Sequence, residues 1–233
     1  MSLRPLPPRE LAARIDMALL KDIRPDKIRE AVEKAERLGL RGISTYYTAL
    51  DILSTLSKRV KKIIVIDFPA GASHIESKVK AEEQAIAHGA DEVEFVVNVW
   101  KWLQGDRNYV INEIRALARI ARATGVTSKA LIETSVLTLD ELRELLTLIA
   151  SLDEEDKPHY VKMNTGWFSR GVRPVEVALA SKIVKSSGIR VKAAGGIRDA
   201  YTASLLVSLG ADVIGASNPE AIIRDAEEAN KLS

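Results

Sequence analysis

The sequence predicts an α/β protein of the (β/α)8 TIM-barrel class, and three observations carry that expectation. Short apolar, β-rich runs alternate with segments of helical periodicity eight times along 233 residues. Glycine or proline punctuates most of the joins, and no stretch has the composition of an interdomain linker. Alternation of this kind implies parallel strands joined by right-handed helical crossovers, and eight units is the count at which such a sheet closes. A doubly wound open sheet is the competing topology. It usually carries a Gly-rich turn after its first strand, and "IDMALLKDIRP" has none.

Residues 1–13 read as an N-terminal extension, in which prolines followed by "RELAARI" predict a short helix across one end of the fold. The whole chain, 1–233, is expected to form one barrel domain. Strands are predicted over 14–20, 42–47, 62–68, 91–99, 128–134, 159–164, 189–194 and 211–217. Helices are predicted over 25–39, 76–89, 112–125 and 174–188, each ending at a glycine. Further helix starts follow "AAGGIRD" and "GASNPEAI".

Composition narrows the function. Hydrophobic residues make up 46% and charged residues 28%, and 34 basic side chains against 32 acidic ones leave a net charge of +2. That balance argues against a nucleic-acid or membrane partner. Without cysteine there is no thiolate ligand or cysteine nucleophile. His74, His88 and His159 lack metal-ligand spacing, so no metal or other cofactor is expected. No secretory signal or long apolar run is evident, which points to the cytoplasm.

Alternation along the strands assigns faces. In "DEVEFVVNV", Val93, Phe95, Val97 and Val99 share the outward face, leaving Glu92, Glu94, Val96 and Asn98 inward. The same rule turns Lys129, Leu131 and Glu133 inward on the fifth strand, Lys162 on the sixth and Lys192 on the seventh. Polar residues near the C-terminal strand ends lie where such barrels build active sites. A buried salt-bridge network is the plain reading of one inward lysine. Two on neighbouring strands are costly unless one is neutral, and a neutral amine is a nucleophile. A free lysine, with a pKa of about 10.4, is neutral in only about one part in 2,500 at pH 7. The expectation is that Lys162 attacks a carbonyl and Lys192 helps keep it unprotonated.

The loops after strands 7 and 8 suit a phosphate, because glycine-rich backbone and helix N-termini present N–H groups to an anion. Candidate contacts are Gly195, Gly196, Ile197 and Gly215, with the side chains of Ser217 and Asn218, and Gly166 from "NTGWF". Ordinary turn chemistry explains each glycine pair equally well when taken alone. Arg198 is either a further anion contact or an exposed surface residue. Trp100 and Trp102 either roof the site or, more commonly for such residues, pack on an adjoining helix.

These residues resemble the deoxyribose-phosphate aldolase family, over nearly the whole chain. The most specific stretches are "FPAGASHIESKVKAEEQAIAHGADEVEFVVNV", "ALIETSVLT", "YVKMNTGWF" and "VKAAGGIR". The resemblance implies a metal-independent class I aldolase in which Lys162 forms the Schiff base, Lys192 is the companion amine and Glu94 relays protons. It also implies reversible cleavage of 2-deoxyribose 5-phosphate to acetaldehyde and glyceraldehyde 3-phosphate, by a homodimer or homotetramer. Asp16, Thr165 and Lys129 are expected to bind the substrate's polar groups. Glu94 stands where the family usually has aspartate, and Met163 and Asn164 where small hydroxyl residues are usual. A Schiff-base aldolase for another phosphorylated sugar therefore stays open, as does a non-catalytic sugar-phosphate binder.

Overall fold

The structure, a computed structural model, describes residues 4–55 and 57–231. Its strands are β1 (Ile15–Ala18), β2 (Gly42–Thr45), β3 (Lys61–Ile66), β4 (Glu92–Val96), β5 (Thr127–Ile132), β6 (Tyr160–Met163), β7 (Arg190–Ala194) and β8 (Val213–Ala216). Every neighbouring pair is parallel, and β8 returns to β1, so the sheet is a closed barrel in chain order.

The helices are α1 (Pro8–Ala12), α2 (Pro25–Leu38), α3 (Leu50–Leu53), α4 (Ile75–Ala87), α5 (Val99–Leu103), α6 (Arg107–Thr124), α7 (Leu139–Ala150), α8 (Pro174–Val184), α9 (Ala200–Ser208) and α10 (Pro219–Lys231). Local chemistry accounts for their ends. α2 starts with Pro25 in its first turn and stops at Gly39, whose φ of 67° is left-handed. α7 begins with a reciprocal capping box between Thr138 and Glu141. The short helix expected within residues 1–13 is α1, which packs against α9 and α10.

The apolar core lies between barrel and helices. Val93, Phe95, Ala130, Ile132, Val161, Met163, Val191 and Ala193 are fully buried there, on the outward faces predicted from alternation. The barrel interior is left to the other faces.

Strand ends are the main correction. Most strands stop one to three residues short of the expected C-terminal limit, and after β4, β5 and β6 the residues that follow stay buried and so read like strand. Val97 and Val99 are fully buried, yet the chain turns into α5 at that point. Asn98 is therefore not on the inner wall of β4: it caps α5, its Oδ1 accepting from the Lys101 N–H at 3.1 Å. Likewise Glu133 leaves β5 and caps a short 3-10 turn over Thr134–Val136.

Candidate active site

The strand register brings the predicted amines together. Lys162 on β6 lies opposite Lys192 on β7, and Glu94 on β4 lies opposite Lys129 on β5. Lys162 Nζ donates to Glu94 Oε2 at 2.6 Å. Lys192 Nζ donates to Glu94 Oε1 and to Asp16 Oδ2, both at 2.6 Å. Lys129 pairs with Glu92 and sits 3.1 Å from Glu94 Oε1. Arg41, just before β2, closes the lower end by binding Asp16 at 2.6 Å and also Glu92. Gly215 makes room for this packing: a Cβ there would fall 2.9 Å from Ala194 Cβ and 3.2 Å from Lys192 Cε.

Charge counting picks out one amine. Asp16, Glu92 and Glu94 are three carboxylates facing four basic groups, Arg41, Lys129, Lys162 and Lys192. The surplus falls on Lys162, whose one hydrogen-bonded partner among the described residues is Glu94, shared with the other two lysines. Lys162 is buried, and its pKa falls to about 8. Burial is the chief cause; Glu94 opposes it, and Lys192 and then Lys129 reinforce it. Lys192 thus helps to lower Lys162, but desolvation weighs more.

The partners move the other way. Burial alone would raise the Glu94 carboxyl, but Lys162, Lys192 and Lys129 outweigh it and hold the group well below the ordinary range. Asp16 is likewise held low, burial being outweighed by Lys192, Lys129 and Arg41. Burial pulls Lys129 down, yet Glu94, Glu92 and Asp16 leave it raised.

A cavity of about 370 Å³ opens over the C-terminal ends of the strands, bordered by Lys162, Lys192, Thr165, Gly166, Gly195, Gly196, Ile197, Gly215 and Ser217. Arg198 also borders it from an exposed position. Asp16, Lys129 and Glu94 lie one layer beneath. Asp16 and Lys129, expected to meet substrate hydroxyls, are instead fully enclosed and bonded within the charge cluster. Asn218 is turned away as well; its Oδ1 accepts from the Ala221 N–H at 3.4 Å at the start of α10.

The loop after β6 is held by its own polar groups. Asn164 takes a left-handed φ of 77°, accepts from the Gly166 N–H at 2.6 Å and donates to Glu133 and Thr134, both at 3.2 Å. Thr165 binds Glu133 through its backbone N–H at 3.1 Å and through its hydroxyl. Glu133 therefore anchors a loop and takes no part in the amine cluster. The loop after β7 packs onto this one: a Cβ at Gly195 would lie 2.7 Å from Asn164 Oδ1 and 2.9 Å from Gly166 Cα, and one at Gly171 would lie 2.4 Å from the Gly195 carbonyl oxygen.

The chain matches no family model. It is 32% identical over 205 residues to the deoxyribose-phosphate aldolase of Aquifex aeolicus, covering 88% of this chain and 90% of that one. It is 33% identical over 229 residues to the deoxyribose-phosphate aldolase of a Thermoanaerobacter species, covering 95% and 98%. The chain belongs to the deoxyribose-phosphate aldolase family. It is an aldolase, a lyase of that family. Among solved structures, an aldolase designated QR15 superposes with a TM-score of 0.87 at 29% identity, covering 96% of this chain and 98% of that one. The tetrameric deoxyribose phosphate aldolase of Aeropyrum pernix gives 0.84 at 28%, covering 97% and 93%.

For an aldolase of this family the cavity rim holds residues that sequence reasoning passed over. Trp100 and Trp102 do not border the cavity: Trp100 donates its indole N–H to the Ala70 carbonyl at 2.9 Å, and Trp102 is fully buried in the core. Phe68 and Trp167 border it instead, edge to face with ring centroids 5.7 Å apart, and Lys21 Nζ lies 5.8 Å from the Trp167 ring. Ser44 borders it too and donates to Glu94 Oε2 at 2.9 Å. The available signal was position: Lys21, Phe68 and Trp167 all follow closely on strand ends, where barrel loops carry function.

Proposed function

We propose that this chain is a class I aldolase that cleaves 2-deoxyribose 5-phosphate reversibly to acetaldehyde and glyceraldehyde 3-phosphate through a Schiff base on Lys162. One observation carries the reading: the amine that is surplus to the buried charge balance is also the one that borders the cavity, with a pKa of about 8. At that value roughly one molecule in ten holds it neutral at pH 7, about 200-fold more than for a free lysine.

Neutral Lys162 adds to the aldehyde carbon, and the Lys192 ammonium protonates the departing hydroxyl. The resulting iminium accepts the electron pair of the C2–C3 bond once the C3 hydroxyl loses its proton, and the enamine left behind is then protonated and hydrolysed. Glu94 binds both amines and relays protons between them and the substrate. Asp16, Lys129, Glu92 and Arg41 hold this arrangement from below. The sugar phosphate is bound with its anion at Gly166, Gly195, Gly196, Ile197, Gly215 and Ser217, and Thr165 meets a substrate hydroxyl. Asn218 acts only through its cap on α10. We further propose a homodimer or homotetramer, which sedimentation would test.

Borohydride added with acetaldehyde, or with the sugar phosphate, should leave a covalent adduct on Lys162, read by peptide mass. An active preparation that never labels Lys162 would exclude the mechanism. The Glu94, Met163 and Asn164 departures favour one second reading, an imine-forming aldolase for a different phosphorylated sugar. A substrate panel ranked by kcat/KM separates the two.

A further inference from the structure

We propose that the hydroxyl of Ser44 is the conduit through which Glu94 exchanges protons with a bound substrate. Glu94 does not border the cavity; Ser44 and Lys162 do. Both reach the same carboxylate oxygen, Glu94 Oε2, Ser44 Oγ at 2.9 Å and Lys162 Nζ at 2.6 Å. A substrate carbon attached to Lys162 nitrogen is therefore brought beside a hydroxyl already hydrogen-bonded to the buried carboxylate. Ser44 is held by the centre of β2, where it pairs in register with Ala18 and Ile63, so its position comes from the barrel wall rather than from a loop.

The step follows from the imine reading and rests on it. In the iminium of acetaldehyde the C2–H bond breaks, its electron pair forms C1=C2, and the C1=N π pair moves to nitrogen, giving the enamine. The C2 proton goes to Ser44 Oγ as the serine's own proton passes to Glu94 Oε2. Having protonated the departing hydroxyl, Lys192 is neutral at this stage, so one of the cations that suppress the carboxylate's proton affinity is gone. Enamine protonation runs the same path backwards. A hydroxyl can accept and donate at once, which a merely space-filling residue at position 44 could not do.

The test separates imine formation from proton transfer. Wild type, Ser44→Ala and Ser44→Thr are compared by borohydride trapping of acetaldehyde on Lys162 and by deuterium entry into the acetaldehyde methyl group in D2O. The proposal expects Ser44→Ala to trap at close to the wild-type rate while deuterium entry falls by about 10- to 100-fold, and Ser44→Thr, which keeps the hydroxyl, to recover most of the exchange. Exchange unchanged in Ser44→Ala overturns the conduit and leaves the imine reading standing. Trapping lost in both variants also overturns it, since Ser44 would then be supporting the amine. Wild type that exchanges deuterium without labelling Lys162 overturns both readings together.

Discussion

Lys78 on α4 and Lys162 on β6 are both deeply buried, at 1% and 3% exposed, yet their surroundings differ in kind. Lys78 Nζ donates to the Gly71 and Val96 carbonyls, each at 2.8 Å, and to Glu113 Oε1 at 2.6 Å. The second oxygen of Glu113 accepts from the Asn98 N–H at 2.8 Å. The amine faces Glu113 and, at 3.4 Å, Asp67 Oδ2 as well, and all three donor directions of an ammonium are taken. Among the described residues Lys162 has one acceptor, shares it with two other amines, and opens on a cavity. Burial alone does not distinguish the lysine proposed to react from a structural one. What distinguishes them is whether the charge is matched and the donors satisfied.

Substitutions test that contrast directly. The largest effect is expected from Lys162→Leu, which should lower turnover by roughly 10⁴-fold or more, measured as aldehyde release. Its stability should stay close to wild type, because removing the unmatched member of a buried cluster is often neutral or stabilising. Lys78→Met should do the reverse. Stranding Glu113 should cost about 3–5 kcal/mol in denaturant unfolding, with activity per folded molecule preserved. Comparable stability losses in the two variants would break the comparison.

Titration sharpens it. In the proposed mechanism Lys162 reacts as the neutral amine, so kcat/KM should climb about tenfold per pH unit on the acid side and level off near pH 8. An acid limb centred near the ordinary lysine value of about 10.4 would remove the electrostatic basis for assigning Lys162. The smallest effect is expected at Glu82, one turn from Lys78 on α4, whose two carboxyl oxygens are buried without a partner among the described residues. Burial raises its pKa to about 9. A carboxyl raised in the fold contributes stability that is fully present below its unfolded pKa and is lost as pH climbs from there towards 9. Glu82→Met should therefore stabilise the fold by about 1–3 kcal/mol at pH 8, and by less at pH 5, in thermal or urea unfolding.

The barrel and the inward lysines were legible because period-2 alternation assigns faces without tertiary information: Val161 and Met163 outward leave Lys162 no other side. Strand ends were less legible, since burial persists past the last ladder bond, as at Val97 and Val99. α7 was not predicted even though Thr138 and Glu141 carry a capping-box spacing that marks its start. Depth along the barrel axis escaped the pattern altogether. Alternation says that Asp16, Lys129 and Lys162 all point inward, but only the stagger between strands puts the first two beneath the cavity and the third at its floor. Arg41, which supplies the third matching cation, precedes its strand and carried no face signal.

The backbone-to-backbone contact of Gly166 and Gly171 with Gly195 bears on how this enzyme could diversify. A side chain added at any of these positions collides with main chain, so one wall of the cavity is closed to gradual change. The part of the wall where Lys21 and Phe68 border the cavity is built from side chains instead. New acceptor preferences, whether evolved or engineered, would then arise by varying that part while the glycine seam stays as it is.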